Sequence, residues 1–320
     1  MKKILVTGIS GFAGSFLADF LISTKEYDIS GTYLLEESVK KNLGEIKKNI
    51  NLIKVDLTNT KRVYELLKSV KPDLVFHLAA LPYTAASFRN PLKTIENNIA
   101  SQMNVLSGIK ENKLFGTKIL IVSSAEVYGL VDKKDLPINE ETKLMPTSPY
   151  AVSKIAQDFL GLQFFLSYNL KIVRVRPFNH IGPRQSPSFV VASIARRIAE
   201  IEKGKHESFI SVGNLEAKRD FTDVRDMVRA YTLAIEKGKP GEVYNIGSEK
   251  SYKITEILDS LLKLSKARIK VQVNKNLLRP VDIPELLCDA TKFKNLTNWR
   301  PKIDINTTLK DTLDYWRKIV

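Results

Sequence analysis

Gly8-Ile9-Ser10-Gly11-Phe12-Ala13-Gly14 is the stretch that leaves this chain the fewest ways to fold. It follows residues 3–7, a short apolar run with the character of a parallel strand covered on both faces. It precedes Leu17, Phe20 and Leu21, spaced as one face of a helix. A strand, a glycine turn and a helix make the start of a dinucleotide-binding unit. Gly8 allows the tight turn, Gly11 lets the backbone approach a pyrophosphate, and Gly14 lets helix and strand pack closely. The first helical turn, entered through Phe12 and Ala13, offers its free N–H groups to the phosphates. The spacing is G-x-x-G-x-x-G, not the commoner G-x-G-x-x-G.

The same rhythm continues along the chain. Strands are expected at 28–33, 51–55, 73–77, 118–122 and 171–176, with helices ending near 70 and spanning 91–110. The fold class is therefore α/β, a doubly wound parallel sheet of the Rossmann type over residues 1–176. Past residue 177 the alternation loosens. Helices are expected at 189–203, 223–236 and 254–264, and strands at 209–212 and 270–273; a polar stretch ends in Arg219-Asp220-Phe221. This describes a smaller lobe over 177–240 and 248–320, interleaved with a strand at about 241–247 that returns to the first sheet.

In such a sheet, ligands bind outside the carboxyl ends of the strands. The second strand ends in Thr32, Tyr33 and Leu34, with Glu36 and Glu37 beyond. An acidic residue there favours NAD and a basic one accommodates NADP, so both cofactors stay open. Asp56-Leu57 ends the third strand and is a candidate contact for the adenine amine. Leu78-Ala79-Ala80 is small enough to pass beneath a cofactor, whereas His77, still inside the strand, reads as a satisfied core histidine. Ser123 and Ser124 end the fifth strand, and the Ser124 hydroxyl has two readings, a hold on a substrate oxygen or a strand-end serine that satisfies local backbone.

Ser148-Pro149-Tyr150-Ala151-Val152-Ser153-Lys154 opens a helix with Tyr150 and Lys154 on one face. A phenol is a weak acid near pH 10, and a fixed ammonium nearby favours its ionised form, so the pair is suited to proton exchange with a carbonyl or hydroxyl. The same helix is apolar almost all round, which predicts a homodimer through the helices at about 91–110 and 150–168.

The formal net charge of +15 admits nucleic acid as a partner, yet the basic residues are scattered and no recognition motif accompanies them. The expectation is no nucleic acid and no membrane, since no apolar run reaches spanning length. No metal site is expected. One cysteine, Cys288, rules out an internal disulfide and suits a reducing cytoplasm.

Taken together, Gly8-x-x-Gly11-x-x-Gly14, His77-Leu78-Ala79-Ala80, Ser124 with Tyr128-Gly129, and Tyr150-x-x-x-Lys154 resemble the extended short-chain dehydrogenase/reductases that act on nucleotide sugars. The resemblance covers essentially the whole chain. The second lobe is most similar to the GDP-4-dehydro-6-deoxy-D-mannose reductases, through Arg176-Pro-Phe-Asn-His-Ile-Gly-Pro183, Val212-Gly-Asn-Leu-Glu-Ala217 and Arg219-Asp-Phe-Thr-Asp-Val-Arg-Asp226. It implies NADP(H) or NAD(H) as cofactor, held by Gly8, Gly11, Phe12, Ala13, Gly14, Asp56, Leu57, Leu78, Ala79, Ala80, Ser123, Tyr150, Lys154 and Pro177. It also implies Ser124, Tyr150 and Lys154 as catalytic residues. The implied substrate is a GDP-linked 4-keto-6-deoxy sugar, with Glu126, Asn179, Gln185, Val190, Arg219 and Arg279 around it. Lys154 would lower the Tyr150 pKa and hold the nicotinamide ribose, and Arg219 and Arg279 would grip the diphosphate.

Two other readings stand beside the reductase. A GDP-mannose 4,6-dehydratase or nucleotide-sugar 4-epimerase would use the same triad, with Glu126 where dehydratases keep an acid/base and Ala125 where many keep an aspartate. A non-catalytic nucleotide- or RNA-binding protein on the same scaffold is motivated by charge, and the intact triad argues against it.

Overall fold

The computed structural model of the protein describes residues 1–278 and 280–320. Arg279, expected on the diphosphate, lies outside the described residues. The first half runs β1 (Lys2–Thr7), α1 (Phe12–Thr24), β2 (Tyr27–Tyr33), α2 (Glu36–Leu43), β3 (Asn51–Lys54), α3 (Thr60–Val70), β4 (Leu74–His77), α4 (Thr84–Arg89), α5 (Pro91–Glu111), β5 (Lys118–Val122), α6 (Pro149–Tyr168) and β6 (Lys171–Pro177). The second half runs β7 (Asn179–Ile181), α7 (Val190–Glu202), β8 (Phe209–Val212), β9 (Lys218–Asp223), α8 (Val224–Lys237), β10 (Val243–Ile246), β11 (Ser251–Lys253), α9 (Ile254–Lys263), β12 (Lys270–Val273), β13 (Glu285–Leu286), α10 (Thr291–Thr297) and α11 (Ile305–Ile319).

Seven strands form the main sheet in the order β10-β6-β5-β4-β1-β2-β3, and every neighbouring pair is parallel. The unbroken apolar runs of β1 and β5 follow from burial on both faces. Successive side chains point to opposite sides of a strand. Ile4 and Val6 accordingly enter the core beneath α1 and α8, while Leu5 enters the core beneath α3 and α5. Leu120 divides from Ile119 and Ile121 in the same way.

The returning strand is β10, which adds to β6 at the edge of the sheet. The lobe division expected from the sequence is cut across by α8. Its residues Met227, Val228, Tyr231 and Ile235 pack into the first core with Phe293 of α10 and Trp299, because its apolar stripe fits the sheet face that α1 leaves open. The second core gathers Val191, Ile194 and Ile198 of α7 with Ile257 and Leu261 of α9 and Leu309, Leu313 and Trp316 of α11.

The polar stretch ending at Phe221 is a correction. It is β9, the centre of a four-stranded sheet with β7, β11 and β13. Arg219, Asp220 and Asp223 of this strand are buried and partnered: Asp220 accepts N–H bonds from Ser248, Glu249 and Cys288 and the Ser248 hydroxyl. The 130–149 loop is anchored too, since Ile138 is fully buried and bridges Cys288.

Many of the basic residues sit where helices end. Lys25 and Lys71 cap α1 and α3, and Lys40, Lys110, Lys237, Lys263, Lys294 and Arg317 lie in last turns. Positive charge there complements the negative end of the helix dipole. Among the described residues no helix is long and apolar enough to cross a membrane.

Candidate active site

The sheet order reverses between β1 and β4, and the glycine turn lies in that crevice. Gly8 has φ +69°, and a Cβ there would stand 3.0 Å from the Ala79 Cα. A Cβ on Gly14 would stand 2.3 Å from the Gly8 carbonyl oxygen, so only glycine lets α1 close on the turn. The Gly11 N–H donates to the Gly8 carbonyl at 2.9 Å. Phe12, Ala13 and Gly14 therefore present the first turn of α1 at the carboxyl edge, a cradle that fits a dinucleotide pyrophosphate. Thr32, weighed as a ribose contact, is 1% exposed and accepts the Gly8 N–H at 3.2 Å, so it braces the turn.

The end of β4 is tied to β1 by one hydroxyl. Thr7 Oγ1 accepts from the Leu78 and Ala79 N–H groups at 3.1 and 3.2 Å and lies 3.0 Å from His77 Nδ1. With its lone pairs engaged, the hydroxyl proton faces Nδ1, which places the ring proton on Nε2. Burial, with Lys154 adding to it, pushes His77 down to about 3. The histidine is in the core as expected but only half satisfied, since Nε2 has no partner among the described residues. Leu78, Ala79 and Ala80 remain partly exposed at the crevice. Asp56 is exposed and accepts from the Thr58 N–H and hydroxyl at 2.9 and 2.7 Å, and Leu57 is buried.

Ser148 caps α6 by accepting the Ala151 N–H at 3.1 Å, and Pro149 starts the helix where no N–H is needed. This fixes Tyr150 one residue later, 8% exposed, against the end of β5. The Tyr150 phenol stands beside the Ser124 side chain, whose Oγ accepts the Glu126 N–H at 3.2 Å. Burial drives the Tyr150 phenol upward, the neighbouring Ser124 hydroxyl opposes this, and the Glu126 carboxylate adds to the rise. The expectation that Lys154 lowers the phenol is thus corrected. The Lys154 ammonium is engaged elsewhere, by the Val122 carbonyl and Gln157 Oε1, both at 2.8 Å. Burial brings Lys154 down to about 7 against the opposing charge of Asp158. Ser123 donates its hydroxyl to the Lys154 carbonyl at 3.2 Å, which ties β5 to α6.

The second lobe closes over this edge. Pro177 is buried at the end of β6, and Asn179 is half-buried in β7. Gln185 is buried and donates to the His180 carbonyl at 3.0 Å, and Val190, at the start of α7, is 41% exposed. Two aromatic contacts join the lobes: Tyr83 with Phe189 at 5.3 Å between centroids, and Phe12 stacked on His180 at 5.8 Å. Arg219 is buried and donates to the Lys218 and Ile283 carbonyls and to Asp282. Its guanidinium therefore already orders the 282–283 segment. Among the described residues there is no group of three or more His, Cys, Asp or Glu that could hold a metal.

The family model for GDP-mannose 4,6 dehydratase matches residues 5–312. The chain belongs to that family. It is 32% identical to the GDP-6-deoxy-D-mannose reductase of Pseudomonas aeruginosa over 319 residues, covering 100% of this chain and 98% of that one. It is 29% identical to the human GDP-mannose 4,6 dehydratase over 96% of this chain and 89% of the relative. Among solved structures, RMD from Pseudomonas aeruginosa complexed with NADPH superposes with a TM-score of 0.86 at 31% identity, covering both chains fully.

Beneath the site of this family member lies a network that sequence reasoning missed. Asp158, fully buried, accepts from Arg174 at 2.5 Å and from Arg176 at 2.7 Å. Arg176 also donates to the Tyr128 hydroxyl at 3.0 Å, and that hydroxyl donates to Asn245 Oδ1 at 2.7 Å. One signal was present: Asp158 lies one helical turn beyond Lys154, and Arg174 and Arg176 share one face of β6.

Proposed function

We propose that the protein reduces the C4 keto group of a GDP-4-dehydro-6-deoxy-hexose with NADPH or NADH, giving GDP-D-rhamnose or its C4 epimer as a deoxysugar precursor. The observation that carries this reading is the buried Tyr150 phenol set beside the Ser124 side chain. Burial keeps the phenol protonated, and a keto reduction needs a proton donor at the new alkoxide. The likeness to the Pseudomonas reductase supports the substrate class.

The glycine turn and the first turn of α1 would hold the dinucleotide, and Lys154 its nicotinamide ribose. When bound, the reduced cofactor supplies the hydride. Tyr150 gives its proton to the C4 oxygen as negative charge builds there, and Ser124 holds the same oxygen. In this reading Arg219, Asn179, Gln185 and Val190 line the GDP side, Arg219 would turn from Asp282 to the diphosphate, and Arg279, outside the described residues, is the second arginine expected on it. A guanidinium suits that exchange, since a diphosphate offers the same bidentate geometry as a carboxylate.

The test is oxidation of added NADPH or NADH by GDP-4-dehydro-6-deoxy-mannose, with the C4 configuration of the product read by NMR. No oxidation, with GDP-mannose consumed instead, would sink the reductase. That outcome would favour the second reading, a GDP-mannose 4,6-dehydratase, which is supported by the family model and by Glu126 acting on Tyr150.

The protein is further read as a cytoplasmic homodimer. α5 and α6 pack on one another, and Leu92, Val152, Phe159 and Leu166 remain exposed on their outer side, Leu166 at 71%. Apolar side chains adjacent on two helices suit the same helices of a second copy. Light scattering should report a dimer for the native chain and a monomer for Phe159→Glu.

A further inference from the structure

Lys154 is 6% exposed, and an ammonium removed from water needs oxygen partners. It has two. The Val122 carbonyl, at 2.8 Å, belongs to β5 and comes with the sheet. The second, Gln157 Oε1 at 2.8 Å, is a side chain one turn along α6. Gln157 is itself fully buried, and both ends of its amide are used. Its Nε2 donates to the Asn98 carbonyl in α5 at 2.9 Å. This fixes which end of the amide faces the ammonium, because an amide reversed in place would set two donors against Lys154 and an oxygen against a carbonyl. The backbone beneath is pinned as well, since Gln102 Nε2 of α5 donates to the Gln157 carbonyl at 2.6 Å. Asn98 in turn bonds the Ser153 hydroxyl at 2.9 Å and the Leu81 N–H at 2.7 Å.

We propose that Gln157 is the positioning residue for Lys154, an amide clamp between α5 and the ammonium that favours its charged form and fixes it in place. An ammonium has three N–H groups, and with two clamped one is left for a ligand. The charged and titratable groups around Lys154 are few. Asp158 follows on α6 and is taken up by Arg174 and Arg176 of β6. His77 of β4 faces the ammonium and is neutral, and Tyr150 stands one turn back on α6, with Glu126 beyond it. The facing groups of α5, Asn98 and Gln102, do not titrate. Gln157 is thus the only side chain bonded directly to the ammonium among the described residues.

Because the assignment deepens the reductase reading, its test does not depend on turnover. Protein carrying 13C-labelled lysine is titrated by NMR, and the Lys154 ε-methylene signal is identified by its loss in Lys154→Arg. Two variants bracket the effect. Gln157→Met keeps the size and removes the acceptor, and the Lys154 midpoint should fall by about one pH unit, the worth of one hydrogen bond to a charged group. Gln157→Glu puts a carboxylate in the same place, and the midpoint should rise by a similar amount. The alkaline limb of NADPH-dependent reduction should move in the same two directions. A purely structural glutamine would lower the melting temperature in both variants without shifting the midpoint in opposite directions. Unmoved midpoints, or midpoints that move the same way, would overturn the assignment. A wild-type enzyme that reduces nothing would instead count against the reductase reading alone.

Discussion

Tyr150 at the start of α6 and Ser124 just past the end of β5 stand side by side, and the Ser124 hydroxyl favours ionisation of the phenol. In the reductase reading, Tyr150→Phe removes the proton donor and leaves the ring in place. We expect kcat to fall by about two orders of magnitude or more, the upper part of the usual acid–base contribution, with cofactor affinity retained. Steady-state kinetics beside a fluorescence titration of NADPH checks both halves, and unchanged turnover would move the proton donor elsewhere.

Asp158 balances two arginines in a place that water does not reach. Asp158→Asn leaves Arg174 and Arg176 buried with no opposing charge. Breaking a buried ion pair from one side costs about 3–5 kcal/mol, so the urea midpoint should drop sharply. A loss below 1 kcal/mol would mean that water enters beneath α6.

Gly14 meets the Gly8 carbonyl oxygen at a distance no side chain tolerates. Gly14→Ala must push α1 off the turn, at about 1–3 kcal/mol for overpacking a dense contact. Both the melting temperature and the affinity for NADPH should fall. Full cofactor affinity in a destabilised variant would separate the packing role of this glycine from the phosphate cradle.

His77 is held neutral in the fold, down to about 3, and the unfolded chain takes up the proton near 6.5. The native state therefore binds fewer protons than the unfolded state between those values. Stability from this site is full above pH 6.5 and is lost as pH falls towards 3, at about 1.4 kcal/mol for each pH unit. Unfolding free energies measured from pH 7 to pH 4 should fall less steeply in His77→Gln than in the native chain. Parallel slopes would refute the assignment to His77.

Much of the site is legible without coordinates because its parts are local. Gly8 and Gly14 announce a turn through their own missing side chains, and Tyr150 and Lys154 share a face through helical period alone. Arg219 and Asp220 were harder to place. Read in sequence they end a polar stretch with no strand pattern, yet they belong to the middle strand of a four-stranded sheet, because their partners at 248–249 and 282–288 are distant in the chain. The C-terminal helix Ile305–Ile319 was not foreseen either, although its Leu309, Leu313 and Trp316 form one apolar stripe.

The sequence by itself determined the doubly wound sheet, the turn built on Gly8 and Gly14, and the helix face shared by Tyr150 and Lys154, since each rests on short-range sterics and periodicity. Only the tertiary structure decided the state of those residues. It buried Tyr150 so that its phenol keeps its proton, turned Lys154 towards Val122 and Gln157, and set Asp158 between two arginines of a neighbouring strand. Burial and pairing depend on which distant segments arrive beside a side chain, and in a parallel sheet each neighbour arrives only after a helical crossover.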